Sequence, residues 1–145
     1  MIAQLLSFGW PGAQWALEGE DYEALVWNPG NAQAKPALEE IQAKQVEYDA
    51  TQAKQLAFTN GVVSGFMVQP EGFTLRLEDA DRAAFAQMLA LVKEALDLGM
   101  ITSETPQLIA DKTGTRHEVT TLRFRQIMVA YGLYYKGLWD ALSTP

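Results

Sequence analysis

The apolar residues of this chain change their period twice, and the changes divide it into three segments. In residues 1–34 short apolar runs alternate with turns. Ile2-Ala3-Gln4-Leu5-Leu6, Gln14-Trp15-Ala16-Leu17 and Tyr22-Glu23-Ala24-Leu25-Val26-Trp27 read as three short strands, parted by Gly9-Trp10-Pro11-Gly12 and Glu18-Gly19-Glu20-Asp21. The expectation is a small antiparallel β meander. In its third strand Tyr22, Ala24 and Val26 alternate with Glu23, Leu25 and Trp27, so both faces carry apolar groups. A meander of this size cannot bury two faces by itself and must pack on the rest of the chain or on a partner. Trp10, Trp15, Tyr22 and Trp27 are therefore either a mini-core or an aromatic contact surface for another protein.

Asn28-Pro29-Gly30-Asn31 is a strong turn and marks the boundary to residues 35–60, a connecting helix. Pro36 suits the first turn of that helix, and Glu39 and Glu40 follow where the helix dipole favours carboxylates. The helix is expected from Pro36 to about Phe58, with Asn60-Gly61 as its stop, a length of roughly 35 Å. Leu38, Ile41, Gln45, Tyr48, Gln52 and Gln55 keep a helical spacing but lose apolarity after Ile41. The competing stripe of Val46, Ala50, Ala53 and Ala57 is small. Such a helix is either a solvated connector or a close-packed interface with other helices.

Residues 61–145 read as an α+β domain. Val62–Val68 and Gly72–Leu77 are strand candidates joined through Gln69-Pro70-Glu71, the second alternating Phe73, Leu75 and Leu77 against Thr74 and Arg76. Asp79 is a candidate N-cap for a helix whose core stripe is Phe85, Met88, Leu89, Val92 and Leu96, ending at Leu98-Gly99. A hairpin follows, Leu108-Ile109-Ala110 and Thr115 to Val119 around Asp111-Lys112-Thr113-Gly114. Thr120 or Thr121 then caps a last helix with the stripe Leu122, Ile127, Met128, Tyr131, Tyr135, Leu138 and Leu142. The predicted class is α+β, with two packed helices and short hairpins in this C-terminal part.

Composition narrows the function. Eighteen acids against eleven bases give a net charge of −7, which argues against nucleic acid as a partner, since Lys and Arg supply nonspecific affinity for it. The charge is uneven: residues 1–34 hold Glu18, Glu20, Asp21 and Glu23 with no base, whereas residues 61–145 have ten acids and eight bases. A mean hydropathy of −0.09 and the lack of a long apolar run argue against a membrane span, and no membrane partner is expected. Met1 to Leu17 is uncharged, but it lacks a basic start and is interrupted by Trp10-Pro11-Gly12, so a signal peptide is not expected. With no cysteine there is no thiol nucleophile, disulfide or Cys-ligated zinc.

Catalytic and cofactor signals are thin, and the reading is a non-enzyme with no cofactor and no metal. His117 is the only histidine and sits in a predicted strand between Arg116 and Glu118, with no spacing that makes it a metal ligand. Gly61 and Gly65 are not followed by a phosphate-binding Gly-Lys-Ser/Thr, and Ser7, Ser64, Ser103 and Ser143 lack a nucleophile elbow. Glu78, Asp79 and Asp81 are better read as helix-start residues than as a Ca²⁺ loop. Asp111 likewise reads as the residue that initiates a turn. Glu39 and Glu40, being adjacent, do not face each other on a helix.

An ordered set of residues carries a sharper signal. Ser64-Gly65-Phe66, Phe73-Thr74-Leu75-Arg76-Leu77 running into Asp79, Ile109 to Gly114, Val119-Thr120-Thr121 with Phe124, Ile127-Met128 and Tyr131 to Tyr135 follow one another in order. From about Ala57 to Leu142 this pattern resembles an uncharacterised domain family recurrent at the C-terminal ends of small phage and prophage tail proteins. The N-terminal part is similar to another element of tail-gene proteins, an aromatic β-region ending in Tyr-x-x-x-x-Trp before a Lys-Pro-Thr…Glu-Glu helix start. The matching residues are Tyr22, Trp27, Lys35, Pro36, Glu39 and Glu40, with Ala37 standing where the pattern has Thr.

The resemblance implies a tail-associated protein that binds a tail-fibre or baseplate partner, as a fibre-assembly chaperone or a bound tip subunit. It implies the host cytoplasm during assembly and the virion tail afterwards. Self-association is left open. Within that reading Trp10, Trp15, Tyr22 and Trp27 are the expected partner anchors, because buried aromatics dominate interface energetics. The alternative is a receptor-binding tip that contacts host surface glycans through aromatics beside carboxylates. A small lysin or depolymerase lacks an identifiable carboxylate pair.

Overall fold

The computed structural model describes residues 1–144, and the chain divides into two compact units, Met1–Lys54 and Gln55–Pro145. Residues are 55% helical and 14% strand, the strands forming three separate two-stranded antiparallel pairs, so the fold is α+β.

The first unit opens on a helix, α1 (Ile2–Gly9), where the short apolar run before Gly9-Trp10-Pro11-Gly12 predicted a strand. Ile2, Leu5 and Leu6 lie at i, i+3 and i+4, which is one face of a helix, and Leu5 and Leu6 are buried. Strand β1 (Trp15–Ala16) pairs with β2 (Val26–Trp27), placing Trp15 opposite Trp27. Tyr22–Ala24, expected as strand, is a 3₁₀ turn because the Asp21 carboxylate accepts the Glu23 N–H at 3.0 Å and caps it. The expected meander is thus a two-residue ribbon beside a helix. The predicted turn at Asn28 does form, with the Gly30 N–H donating to the Asn28 side chain at 2.8 Å.

The single helix expected from Pro36 to Phe58 is two. Helix α2 (Leu38–Ala43) ends at Lys44, and α3 (Gln45–Ser64) follows it. Ala37 occupies the N-cap of α2 without a side-chain acceptor, while Glu40 accepts the Ala37 N–H at 2.8 Å and closes half of a capping box. No residue of α3 is buried. The helix runs through the expected stop at Gly61 because that glycine serves close packing: a Cβ there would lie 2.6 Å from Leu138 Cδ2. The stop is Gly65, whose φ of +85° leaves the helical region, and where a Cβ would lie 2.5 Å from the Leu75 carbonyl oxygen. Val62, Val63 and Ser64, expected in a strand, are consequently the last turn of α3. The core of the first unit is Leu5, Leu6, Leu25 and Ile41, ringed by half-buried Trp10, Trp15, Tyr22 and Trp27.

In the second unit β3 (Phe66–Val68) pairs with β4 (Phe73–Leu75), and β5 (Pro106–Ala110) with β6 (Arg116–Thr120). Helix α4 (Asp79–Asp97) packs on α5 (Thr121–Ser143). The N-cap of α4 is Glu78, one residue before the expected Asp79, which instead pairs with Arg82 at 2.6 Å. Thr120 caps α5 as expected, its hydroxyl accepting the Arg123 N–H at 3.2 Å. Val68, Phe73, Leu75, Leu77, Val92, Ile109, Phe124, Ile127, Met128 and Tyr131 form the core. Leu122, assigned to the buried stripe by spacing, is instead exposed, and Phe124 takes the buried place.

Candidate protein-docking surfaces

The four expected anchors all gather on the small core of the first unit, though not as one surface. Tyr22 is the most committed. Its hydroxyl donates to the Pro36 carbonyl at 2.8 Å, and Lys35 Nζ sits 4.7 Å above its ring while donating to the Leu25 carbonyl at 2.9 Å. Those bonds tie the 3₁₀ turn to the start of α2. Trp27 is held at its polar end, Nε1 donating to the Gln33 carbonyl at 2.9 Å. Trp10 and Trp15 have packing partners in the core and walls in open grooves.

Three such grooves surround the β1–β2 ribbon. One of about 440 Å³ is lined by Trp10, Gln14, Asn28, Asn31 and Gln33. A second of about 440 Å³ runs along Trp15, Val26, Trp27 and Pro29. The third, about 470 Å³, lies among Gln4, Phe8, Trp15 and Tyr48. The first groove is shaped by an amide clasp: Asn31 Nδ2 donates to the Gln14 carbonyl at 2.8 Å, and Asn31 Oδ1 accepts the Gln14 N–H at 2.8 Å. Asn28 Nδ2 completes it by donating to Gln14 Oε1 at 2.6 Å. Half-buried indoles beside such grooves offer apolar area at little further entropic cost, which is what an interface anchor requires.

His117 belongs to the β5–β6 hairpin. Its ring stacks on Phe73 with centroids 4.1 Å apart, and Nε2 lies 2.8 Å from Asp111 Oδ2. Asp111 in turn accepts the Thr113 N–H at 2.8 Å, the Thr113 hydroxyl at 2.6 Å and the Thr115 N–H at 3.0 Å. The Thr113 hydroxyl and His117 bonds, with the backbone donors, hold its carboxyl well below the usual range. This carboxylate is engaged in holding a turn. Lys112, from the same turn, donates to the Val63 carbonyl at 2.5 Å at the C-terminal end of α3, where the helix dipole favours a cation. Among the described residues no three His, Asp or Glu side chains converge as a metal site, and no helix is long and apolar enough to cross a membrane.

A surface that the sequence reading missed lies on the second unit. Leu89 and Lys93 of α4 and Leu122, Arg125, Gln126, Val129, Ala130 and Leu133 of α5 line a groove of about 580 Å³. Leu122, Val129 and Leu133 are 48%, 56% and 64% exposed. Its signal was present in the sequence: residues 122, 129 and 133 repeat at seven and four, a second apolar stripe beside the core stripe of α5. No protein-family model, no curated protein and no solved structure matches the chain.

Proposed function

We propose that this chain is a phage tail-associated protein that binds a tail-fibre or baseplate partner, as an assembly chaperone or as a subunit retained at the fibre tip. Protein recognition, with no enzymatic step, is its mode of action. One observation carries the recognition half of this reading: Trp10, Trp15 and Trp27 each pack on a small core and also wall an open groove. The tail assignment is supported by the ordered resemblance from Ser64-Gly65-Phe66 to Tyr135. Several of its residues hold backbone positions that tolerate few alternatives, such as Gly65 at φ +85° and Gly114 at φ +88°.

The amide-lined groove favours a second reading, a tip that contacts host glycans. Trp10 offers a stacking face, and the side chains of Gln14 and Gln33 flank it. Asn31, however, commits both side-chain polar atoms to the clasp. A glycan array without signal removes this reading.

Quantitative mass spectrometry of purified particles, normalised to the major tail protein, tests the main proposal. Stoichiometric presence makes the chain a tail subunit. Absence from particles with recovery bound to a fibre protein in lysates makes it a released chaperone. Absence from both overturns the tail reading.

A further inference from the structure

Helix α5 carries more apolar surface than its own core uses. Phe124, Ile127, Met128 and Tyr131 are buried in the core of the second unit, where Tyr131 meets Phe85 of α4 edge to face. Leu122, Val129 and Leu133 form a separate exposed stripe, joined across the groove by half-buried Leu89. From Leu122 to Leu133 the stripe is about 16 Å long, three turns of helix. That is the footprint of an amphipathic helix laid in a groove.

Charge selects the occupant. The charged residues lining the groove are Lys93 and Arg125, both cations, in a chain whose net charge is −7. Lys93 pairs with Asp97 on its own helix at 2.5 Å, whereas Arg125 makes no hydrogen bond or ion pair among the described residues. A second copy of this chain docking here by a two-fold axis would oppose this basic patch with its own duplicate. Like charges across an interface cost affinity, whereas carboxylates flanking an apolar helical stripe would pair with the unengaged Arg125 and join Asp97 around Lys93.

We propose that the α4–α5 groove docks an amphipathic helix of a partner protein, apolar on one face and acidic along its flanks. This rests on the reading of the chain as a protein-recognition module and names the surface and the partner chemistry. The apolar stripe supplies affinity and the cationic rim supplies orientation and discrimination against basic helices.

The test uses the full chain and three dye-labelled model peptides of about 20 residues, long enough to cover the stripe. One is a Leu/Glu amphipathic helix, one the same pattern with Lys for Glu, and one the acidic helix with its Leu replaced by Ser. Fluorescence anisotropy should show binding of the Leu/Glu helix, with the Leu/Lys helix and the Ser version roughly tenfold weaker or worse. Leu133→Asp and Arg125→Glu should each weaken the Leu/Glu helix by about tenfold, with circular dichroism melting unchanged because both side chains face solvent. If either variant folds poorly, methyl NMR of the wild-type chain replaces it: Leu122, Val129 and Leu133 methyls must shift on adding the Leu/Glu peptide. Equal binding of acidic and basic helices, or shifts that avoid those methyls, overturns the proposal. So does a wild-type dimer that Leu133→Asp dissolves, since the groove then belongs to a second copy. Loss of groove binding in a chain still present on particles sinks this inference alone. Groove binding by a chain absent from particles and fibre complexes sinks the tail reading alone.

Discussion

The two units bury their apolar residues in different ways. In the second, the ten residues of the buried cluster come from two long helices, two hairpins and Leu77 just after β4, and aliphatic groups and Met128 close it with Phe73, Phe124 and Tyr131. In the first, the buried cluster is only Leu5, Leu6, Leu25 and Ile41, with Pro36 buried beside the Tyr22 hydroxyl, and Trp10, Trp15, Tyr22 and Trp27 complete the core while half exposed. A fold of some fifty residues has too little interior to hide large side chains completely. Its aromatics must therefore be both core and surface. In the larger unit those roles are separated along α5, one stripe inward and another outward.

That contrast is most severely tested by truncating each core. Phe124→Ala, at 0% exposure in the second unit, should cost about 3–5 kcal/mol, read as a lower denaturant midpoint and faster exchange of α4 and α5 amides. Ile41→Ala, also at 0% exposure, should cost about 2–4 kcal/mol, and with only Leu5, Leu6 and Leu25 left in the buried cluster the first unit should lose its protected amides. Indole fluorescence follows this, because Trp10, Trp15 and Trp27 lie in that unit. Retention of native fluorescence in Ile41→Ala would mean that the aromatics alone form the core.

Backbone effects come next. Gly65→Ala should cost about 2 kcal/mol or more, from the positive φ and from collision with the Leu75 carbonyl, read by thermal melting of the full chain. Gly12→Ala in the first unit, where φ is +84° but no atom lies within 4 Å, should cost only the conformational part, about 1 kcal/mol. The difference between the two isolates the close approach at Gly65.

The smallest effect is electrostatic. Arg123 donates to Glu71 through Nε at 2.6 Å and Nη2 at 2.7 Å, bonds that lower the carboxyl to about 2. A carboxylate lowered in the folded state contributes stability above its unfolded value near 4.5, and that contribution fades as pH falls from there towards 2. Both side chains keep more than a quarter of their surface in water, so Glu71→Gln should cost about 1 kcal/mol or less at neutral pH. Its stability difference from the wild type should shrink through that acid window in urea titrations.

Legibility in the sequence followed length and period. The stripe of α4, the stripe of α5 apart from Leu122, a threonine cap at Thr120 or Thr121, the Asp111 turn and the Gly99 stop were readable because each is set by neighbours within a few residues. Errors collected where short segments carry two readings. Ile2–Leu6 is a short apolar run that fits a strand or one helical turn, and the helix formed because its Leu5-Leu6 face meets Leu25 and Ile41. Gly61 looked like a stop, and packing by Leu138 made it a contact. The four proposed aromatic anchors were visible by type, but their division between core and groove was not. The α4–α5 groove is not legible because spacing places Leu122 in the buried stripe, whereas it lies on nearly the opposite side of the helix from buried Phe124.

By itself the sequence determined the α+β class, the acidic balance, the Asn28 and Asp111 turns and the two periodic helices, since propensity, charge and periodicity act over a few residues. Tertiary structure decided which of two stripes on α5 faces inward, which glycine ends α3 and whether a tryptophan is wall or core. Those choices depend on contacts between residues far apart in the chain, whose burial no local pattern specifies.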